Sequence, residues 1–214
     1  MNSNSQVESV RSLPTMYQRA FIRVDEYVER ERSRYPSHVQ CRRGCAECCL
    51  GTFPVTLADT AMVRIALANL PENARCEALT RAEAMLDHAR IDLYTALHET
   101  SDSDHERGIE LIDSLPCPFL AHDNACRIYQ SRPLVCRLHG LPIKSADGNV
   151  LDAGCHLDFI DVDIATLEGF VFDDAEFDEI EDFVLNGLAD IYGMEADTEL
   201  LLPVALLHPA FDRR

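Results

Sequence analysis

CRRGCAECC, Cys41–Cys49, puts four cysteines into nine residues, two of them adjacent. A stretch so dense in thiols fits a disulfide knot, a metal site or accidental crowding, and the choice decides how the rest of the chain is arranged around it. The chain holds nine cysteines in 214 residues. Eight of them, Cys41, Cys45, Cys48, Cys49, Cys117, Cys126, Cys136 and Cys155, fall in loop-like segments, whereas Cys76 lies inside a helical pattern. A free cysteine serving as a small core hydrophobe belongs on an apolar face. The eight are therefore placed like ligands, and Cys76 reads as an ordinary thiol.

Composition narrows the alternatives. With 47% hydrophobic residues the chain has material for a real core, so it lacks the need for staples that fills small secreted proteins with disulfides. MNSNSQVESVRS has no apolar run behind a basic start and does not resemble a signal peptide. The cytoplasm is the expected compartment, and there thiols stay reduced, which favours metal or catalysis over disulfides. AMVRIALANL and LLPVALLHPAF are too short or too broken to span a bilayer, so no membrane association is expected. The net charge is −18 and is uneven: Leu157 to Leu200 holds 15 acids and no Lys or Arg, against 21 acids and 17 bases in residues 1–156. Nucleic-acid binding needs a cationic surface and is not expected. The acidic segment reads as a solvated helix face or as a docking surface for a basic protein partner.

Local patterns place the cysteines between helices. Met16, Ala20, Val24, Tyr27 and Val28 predict a helix over roughly 15–34, ending before Pro36. Thr56-Leu-Ala-Asp59 has the form of a capping box, and Leu57, Ala61, Ile65 and Ala68 continue a stripe up to Pro71. Ala78, Ala82, Met85, Ala89, Leu93 and Leu97 predict a longer helix over about 72–99. Asp147-Gly148 suits a type I′ turn in a short hairpin leading to Cys155. Phe177, Ile180, Val184, Leu188 and Ile191 predict an amphipathic helix, with Asp173 and Asp174 at its positive end. The expected fold is mainly α, with helices packed around a loop-rich cysteine site and a short β-hairpin. Residues 1–37 form an N-terminal helix and 38–157 a cysteine-cluster metal-binding domain with a helical insertion at 56–100. Residues 158–214 form an acidic helical segment packed on the same domain.

Cysteines two to four residues apart in a loop let several sulfurs converge on one ion or cluster. Adjacent side chains such as Cys48 and Cys49 tend to diverge, which is awkward for a single tetrahedral zinc and easier for two irons of one cluster or two separate ions. This leans toward iron–sulfur and leaves zinc open. Thiolate sites carry net negative charge and attract donors, and Arg42, Arg43, Arg127, Arg132 and Arg137 all lie within a few residues of a cysteine. Surface roles are equally compatible with each. His139 and His156 could substitute for a thiol, but with eight available they read as neighbours or surface residues.

CRRGCAECC, then CPFL, then CRIYQSRPLVCRLHG and one further Cys, resemble the cysteine-cluster proteins of the YkgJ type, a zinc- or iron-chelating family, over roughly residues 38–157. The resemblance implies the same eight cysteines as the metal-ligand set, with Cys76 outside it, and an iron–sulfur cluster, [4Fe–4S] in type, or zinc as cofactor. One branch of the family is similar to iron–sulfur-dependent flagellin lysine methylases; many members have no assigned activity. Other catalytic signatures are missing. His98-Glu99 and His105-Glu106 begin an H-E-x-x-H pattern, but Asp102 and Ile109 stand where its second His belongs, and there is no P-loop, G-x-G-x-x-G or G-x-S-x-G. Two readings remain: a metal-binding protein of unassigned reaction, or a cluster-dependent enzyme such as a protein lysine methyltransferase or small oxidoreductase.

Overall fold

The computed structural model describes residues 3–42, 44–93, 110–144, 150–151, 155–164, 167, 170–172 and 175–212. It is mainly helical. Helix α1, Ser3–Arg34, starts well before the expected residue 15 and runs through Pro14, although proline has no N–H to continue the ladder. Its buried apolar side chains among the described residues are Leu13, Tyr17, Ala20, Phe21, Val24, Tyr27 and Val28, a helical stripe wider than the periodicity alone shows. Leu13 is seated on Gly187, where an added Cβ would stand 2.9 Å from the Leu13 Cδ1.

Helix α2, Leu57–Asn69, is capped by Thr56, whose Oγ1 accepts from the Asp59 N–H at 3.2 Å. Only half of the expected box forms: the Asp59 carboxylate turns away and accepts from Leu134 N–H at 3.1 Å. The expected α2 stripe is also rotated. Ile65 is 47% exposed and Ala68 faces solvent, while Leu57, Ala58, Ala61, Met62, Val63 and Leu67 are buried. A helix apolar on most sides takes its inner face from its neighbours rather than from its own period. Helix α3, Glu72–Ala89, buries Ala78, Ala82, Met85 and Ala89 as expected. It stops ten residues short of the predicted end, because Arg90 turns left-handed at φ 56° and Ile91 N–H returns to Leu86 O at 3.0 Å, a tight C-terminal cap. Leu93 lies past the helix, and Leu97, His98, Glu99 and His105 lie outside the described residues.

The short helix α4, Leu134–Leu138, carries Cys136. Helix α5, Ala175–Tyr192, buries Phe177, Val184 and Leu188 and opens with Glu176 and Asp178 in its first turn; Asp173 and Asp174 lie outside the described residues. The C-terminal apolar run becomes interior. Strand β4, Glu199–Leu201, pairs antiparallel with β1, Pro54–Thr56, and helix α6, Leu202–Leu207, buries Leu202 through Leu206. The main core draws on α1, α2, α3, residues 117–141, α5 and α6, and a small second cluster joins Met85 and Ala89 of α3 to Ile112.

Between them, β2 (Ile143–Lys144) and β3 (Val150–Leu151) form the expected antiparallel hairpin. A two-residue turn on Asp147-Gly148 would set Lys144 opposite Leu151. The observed partner is Val150, so the register differs by one residue and the connection is odd-numbered; the turn itself is outside the described residues. No helix among the described residues is long and apolar enough to cross a membrane.

Asp59, 2% exposed, has its carboxyl pushed up to about 7, first by burial, with the Leu134 N–H opposing and Glu181 adding repulsion. A raised carboxyl contributes stability that is full below its unfolded value and lost as pH rises through the folded one. Asp59→Asn, which keeps an acceptor for Leu134 N–H, should therefore gain about 2 kcal/mol on the wild type between about pH 5 and pH 8. Urea denaturation of both proteins at the two pH values checks it; parallel stability curves would contradict the shift.

Candidate metal centre

Backbone pairing brings the cysteine loops together. Cys49 closes a 3₁₀ turn, Glu47–Cys49, and its carbonyl accepts from Cys117 N–H at 2.7 Å while Gly51 N–H donates to Leu115 O at 2.7 Å. Gly51, at φ +82°, permits this approach, since a Cβ there would meet Asp113 O at 3.0 Å and the left-handed backbone disfavours other residues. Cys126 is returned to Cys117 by a tight reversal in which Arg127 N–H donates to Phe119 O and Ala121 N–H to Ala125 O, both at 2.9 Å. Asn124 supplies the left-handed residue at φ 60°, and Asp123 Oδ1 accepts from Ala125 N–H at 3.2 Å, as Asx turns do. Cys136 is placed by α4, held at one end by Asp59 and at the other by Arg137. The Cys155 segment lies beside residues 38–40: Phe159 N–H donates to His38 O at 2.8 Å and Gln40 N–H to Asp158 Oδ1 at 2.6 Å.

The thiols of the separate loops act on one another. Cys48, Cys49, Cys117, Cys126 and Cys136 act on one another electrostatically. Burial pushes the Cys117 thiol up to about 12, raises Cys126 and raises Cys136 well above the ordinary thiol range. Cys48 goes the other way and is lowered, chiefly by Cys49, with Arg132 and Arg32 assisting. Cys49 is correspondingly raised. Cys48 and Cys49 lie together in the 3₁₀ turn, where each thiol shifts the other. Desolvation first raises the Cys41 and Cys155 thiols, and Cys45 and Asp158 raise both further; Cys41 is also lowered by Arg32 and raised by Cys48. Cys76 is exposed on α3.

A family model described as "CxxCxxCC: putative zinc- or iron-chelating domain" matches residues 40–156, more than half of the chain. The chain belongs to the CxxCxxCC family. The matched span reaches from just before Cys41 to just after Cys155, and it includes all eight loop cysteines. Chelation of zinc or iron is the chemistry that the family description supports. The first spacing here, Cys41 to Cys45, is one residue longer than the family name spells out. No curated protein and no solved structure matches the chain significantly.

The CxxCxxCC donors are all soft thiols, suited to zinc and iron–sulfur centres. Among the described residues no three His, Cys, Asp or Glu side chains stand close enough to hold a metal ion as they are, so binding has to draw the sulfurs inward. Two of the arginines face that space. The Nε atoms of Arg32 and Arg132 are buried without a hydrogen-bond partner among the described residues, and both guanidinium groups lower Cys48. An orphaned buried donor is costly unless an acceptor arrives, and a thiolate or sulfide is such an acceptor. Arg32 was invisible from sequence spacing because it lies on α1, far from any CxxC unit. Arg127 and Arg137 serve the fold. Arg127 bonds Ala74 O and Glu77 Oε2 at 3.3 and 2.6 Å, and Arg137 is buried against Asp25. Arg42 is exposed and Arg43 lies outside the described residues. His156 is exposed, 3.7 Å from Glu47 Oε2. A cleft of about 530 Å³ reaches Cys126, lined by Tyr129, Arg127, Ile65 and Pro14 among others.

Proposed function

We propose that this chain carries a [4Fe–4S] cluster on Cys48, Cys117, Cys126 and Cys136, with Cys49 hydrogen-bonding to the bound Cys48. The observation that carries the reading is the pairing of these mutually interacting thiols with two buried, partnerless guanidinium N–H groups. Four thiolates around such a core leave net negative charge, which Arg32 and Arg132 offset. When bound, the cluster supplies one-electron redox capacity. The chain's own residues hold it, keep water from Cys117, which is 7% exposed, and direct N–H donors at sulfur. Reduced thiols in this number fit the cytoplasm. The cleft at Cys126 supports the second reading, an enzyme such as a protein methyltransferase or small oxidoreductase working beside the cluster. The acid-rich segment after Leu157 is proposed to meet a basic protein partner, and such binding should weaken with salt.

Anaerobic purification of the full chain with iron, zinc and sulfide analysis tests the main reading. About four iron and four sulfide per chain and a broad visible charge-transfer absorption are expected. Cys48→Ser and Cys136→Ser should lose them, whereas Cys76→Ser should keep them. Zinc without sulfide would replace the cluster by a single ion, and the absence of both metals would falsify the metal-binding reading.

A further inference from the structure

Two clefts of similar size on the described surface differ in charge. One, about 470 Å³ against α1, has Asp25, Glu26 and Glu29 in its wall. The other, about 530 Å³ between α1, α2 and the Cys126–Ser131 segment, has no Asp or Glu among its described lining residues, in a chain with 37 acids and a net charge of −18. The cation in that wall, Arg127, is already paired: Nη2 donates to Glu77 Oε2 at 2.6 Å and Nη1 to Ala74 O at 3.3 Å. What remains is neutral and largely apolar. Pro14 and Met62 are buried in it and Ala66 is half-buried. Ile65, turned away from the core, is 47% exposed there, and Tyr129 is 52% exposed. The Tyr129 ring lies under the Arg132 guanidinium at 4.1 Å and adds a flat aromatic surface. Gln18 and Gln130 supply amide groups that both donate and accept. A concave, apolar space with a few neutral polar groups, within the range of roughly 300–1,000 Å³, is how small-molecule pockets are built.

We propose that this cleft binds a neutral, planar aromatic small molecule bearing a hydroxyl or carbonyl oxygen, seated against the Cys126–Ser131 segment. The inference deepens the enzyme reading by naming a ligand class for the cleft, and it does not depend on which metal the cysteines hold. A charged group entering this wall sheds its water and finds no counter-charge. An uncharged ring loses little on leaving water, packs on hydrocarbon and aromatic faces, and has its oxygen met by the amides. An ammonium finds no carboxylate here, which favours a small-molecule substrate over a lysine side chain. Cys126 is itself in the wall, so the ligand stands beside the proposed centre.

Equilibrium dialysis of the full chain, purified anaerobically, against 2-naphthol, 2-naphthoate and 2-naphthylmethylammonium compares one ring system in three charge states at about pH 7. Wild type should bind one equivalent of 2-naphthol with a Kd on the order of 0.1 mM, as suits so small a ligand, and each ion at least about 10-fold more weakly. Ile65→Asp places an acid in the wall at an exposed position, and Tyr129→Ala removes the exposed ring. Each should weaken 2-naphthol about 10-fold. Phe183→Ala, at a 59% exposed position on α5, should bind as wild type does, which separates the cleft from general adhesion to surface hydrophobes. If 2-naphthol fails to bind at about 1 mM, if either ion binds as tightly, if either cleft variant retains wild-type affinity, or if Phe183→Ala loses it, the site is refuted. Iron, zinc and sulfide analysis of the same samples follows the metal centre separately. Binding of 2-naphthol to protein that holds no metal would keep the cleft and sink the centre, and metal without 2-naphthol would do the reverse.

Discussion

Zinc affinity of the metal-free protein should climb by about 10³-fold per pH unit between about pH 6.5 and 8, since about three protons must leave the inner thiols for each ion bound. Cys117, Cys126 and Cys136 are all raised by burial, Cys117 to about 12. They are neutral through that range and must ionise to bind. Cys48, lowered by Cys49, Arg132 and Arg32, ionises ahead of the others. The sign reverses for the folding of the empty protein. A raised thiol contributes stability that is full below its unfolded value near 9 and is lost as pH rises through the folded one, so metal-free protein should weaken in alkali while the loaded protein does not. Chelator-competition titrations across pH, with proton release followed by an indicator dye, measure the first effect. One proton or fewer per ion would mean that the thiols are already ionised.

Arg137→Ala should cost about 3 kcal/mol and lower the melting temperature by roughly 10 °C. The side chain is 2% exposed, lies over the Phe21 ring at 4.0 Å, and donates through Nη1 to both Asp25 oxygens at 2.7 and 2.6 Å. Its Nε donates to Arg132 O at 3.1 Å and its Nη2 to Gln130 O at 2.7 Å. Truncation strands these acceptors and opens a cavity. Asp25 is 45% exposed, and its rehydration holds the figure to the lower part of the range for buried pairs. Arg137→Lys should recover only part of the loss, because an ammonium lacks the planar fork that reaches the carboxylate and two carbonyls together. Since Arg137 follows Cys136 on α4, the Ala variant should also bind metal more weakly. A loss below about 1 kcal/mol would mean that solvent replaces the network.

The elements that could be read in advance were those with a local cause. Val24 and Val28 on α1, Ala78 and Ala82 on α3, and Val184 and Leu188 on α5 announce themselves by helical spacing. Thr56 announces its cap by its hydroxyl, and the cysteine signature announces the family. Where a segment is apolar on several sides, spacing stops discriminating. Met62 and Val63 rather than Ile65 face the core because α5, α6 and the β1–β4 pair cover that side of α2. LLPVALL reads as an apolar run whose strand-then-helix form depends on a partner, Pro54–Thr56, that lies far away in the chain. α3 ends at Ala89 through a left-handed Arg90 that helix propensity does not signal.

The same division runs through the metal centre. Sequence by itself determined which thiols are placed in loops and that soft-metal chemistry suits them, because residue type and spacing are chain properties. Tertiary structure alone decided which thiols act on one another: Cys48 and Cys49 with Cys117 and Cys126, and Cys41 with both Cys45 and Cys48. It also brought Arg32 to bear on Cys48 and turned Arg137 into a structural anchor. Burial, shared hydrogen bonds and the position of a distant carboxylate are relations between segments, and they come into being only when the loops pair at Cys49 and Cys117 and the Cys155 turn closes onto Gln40.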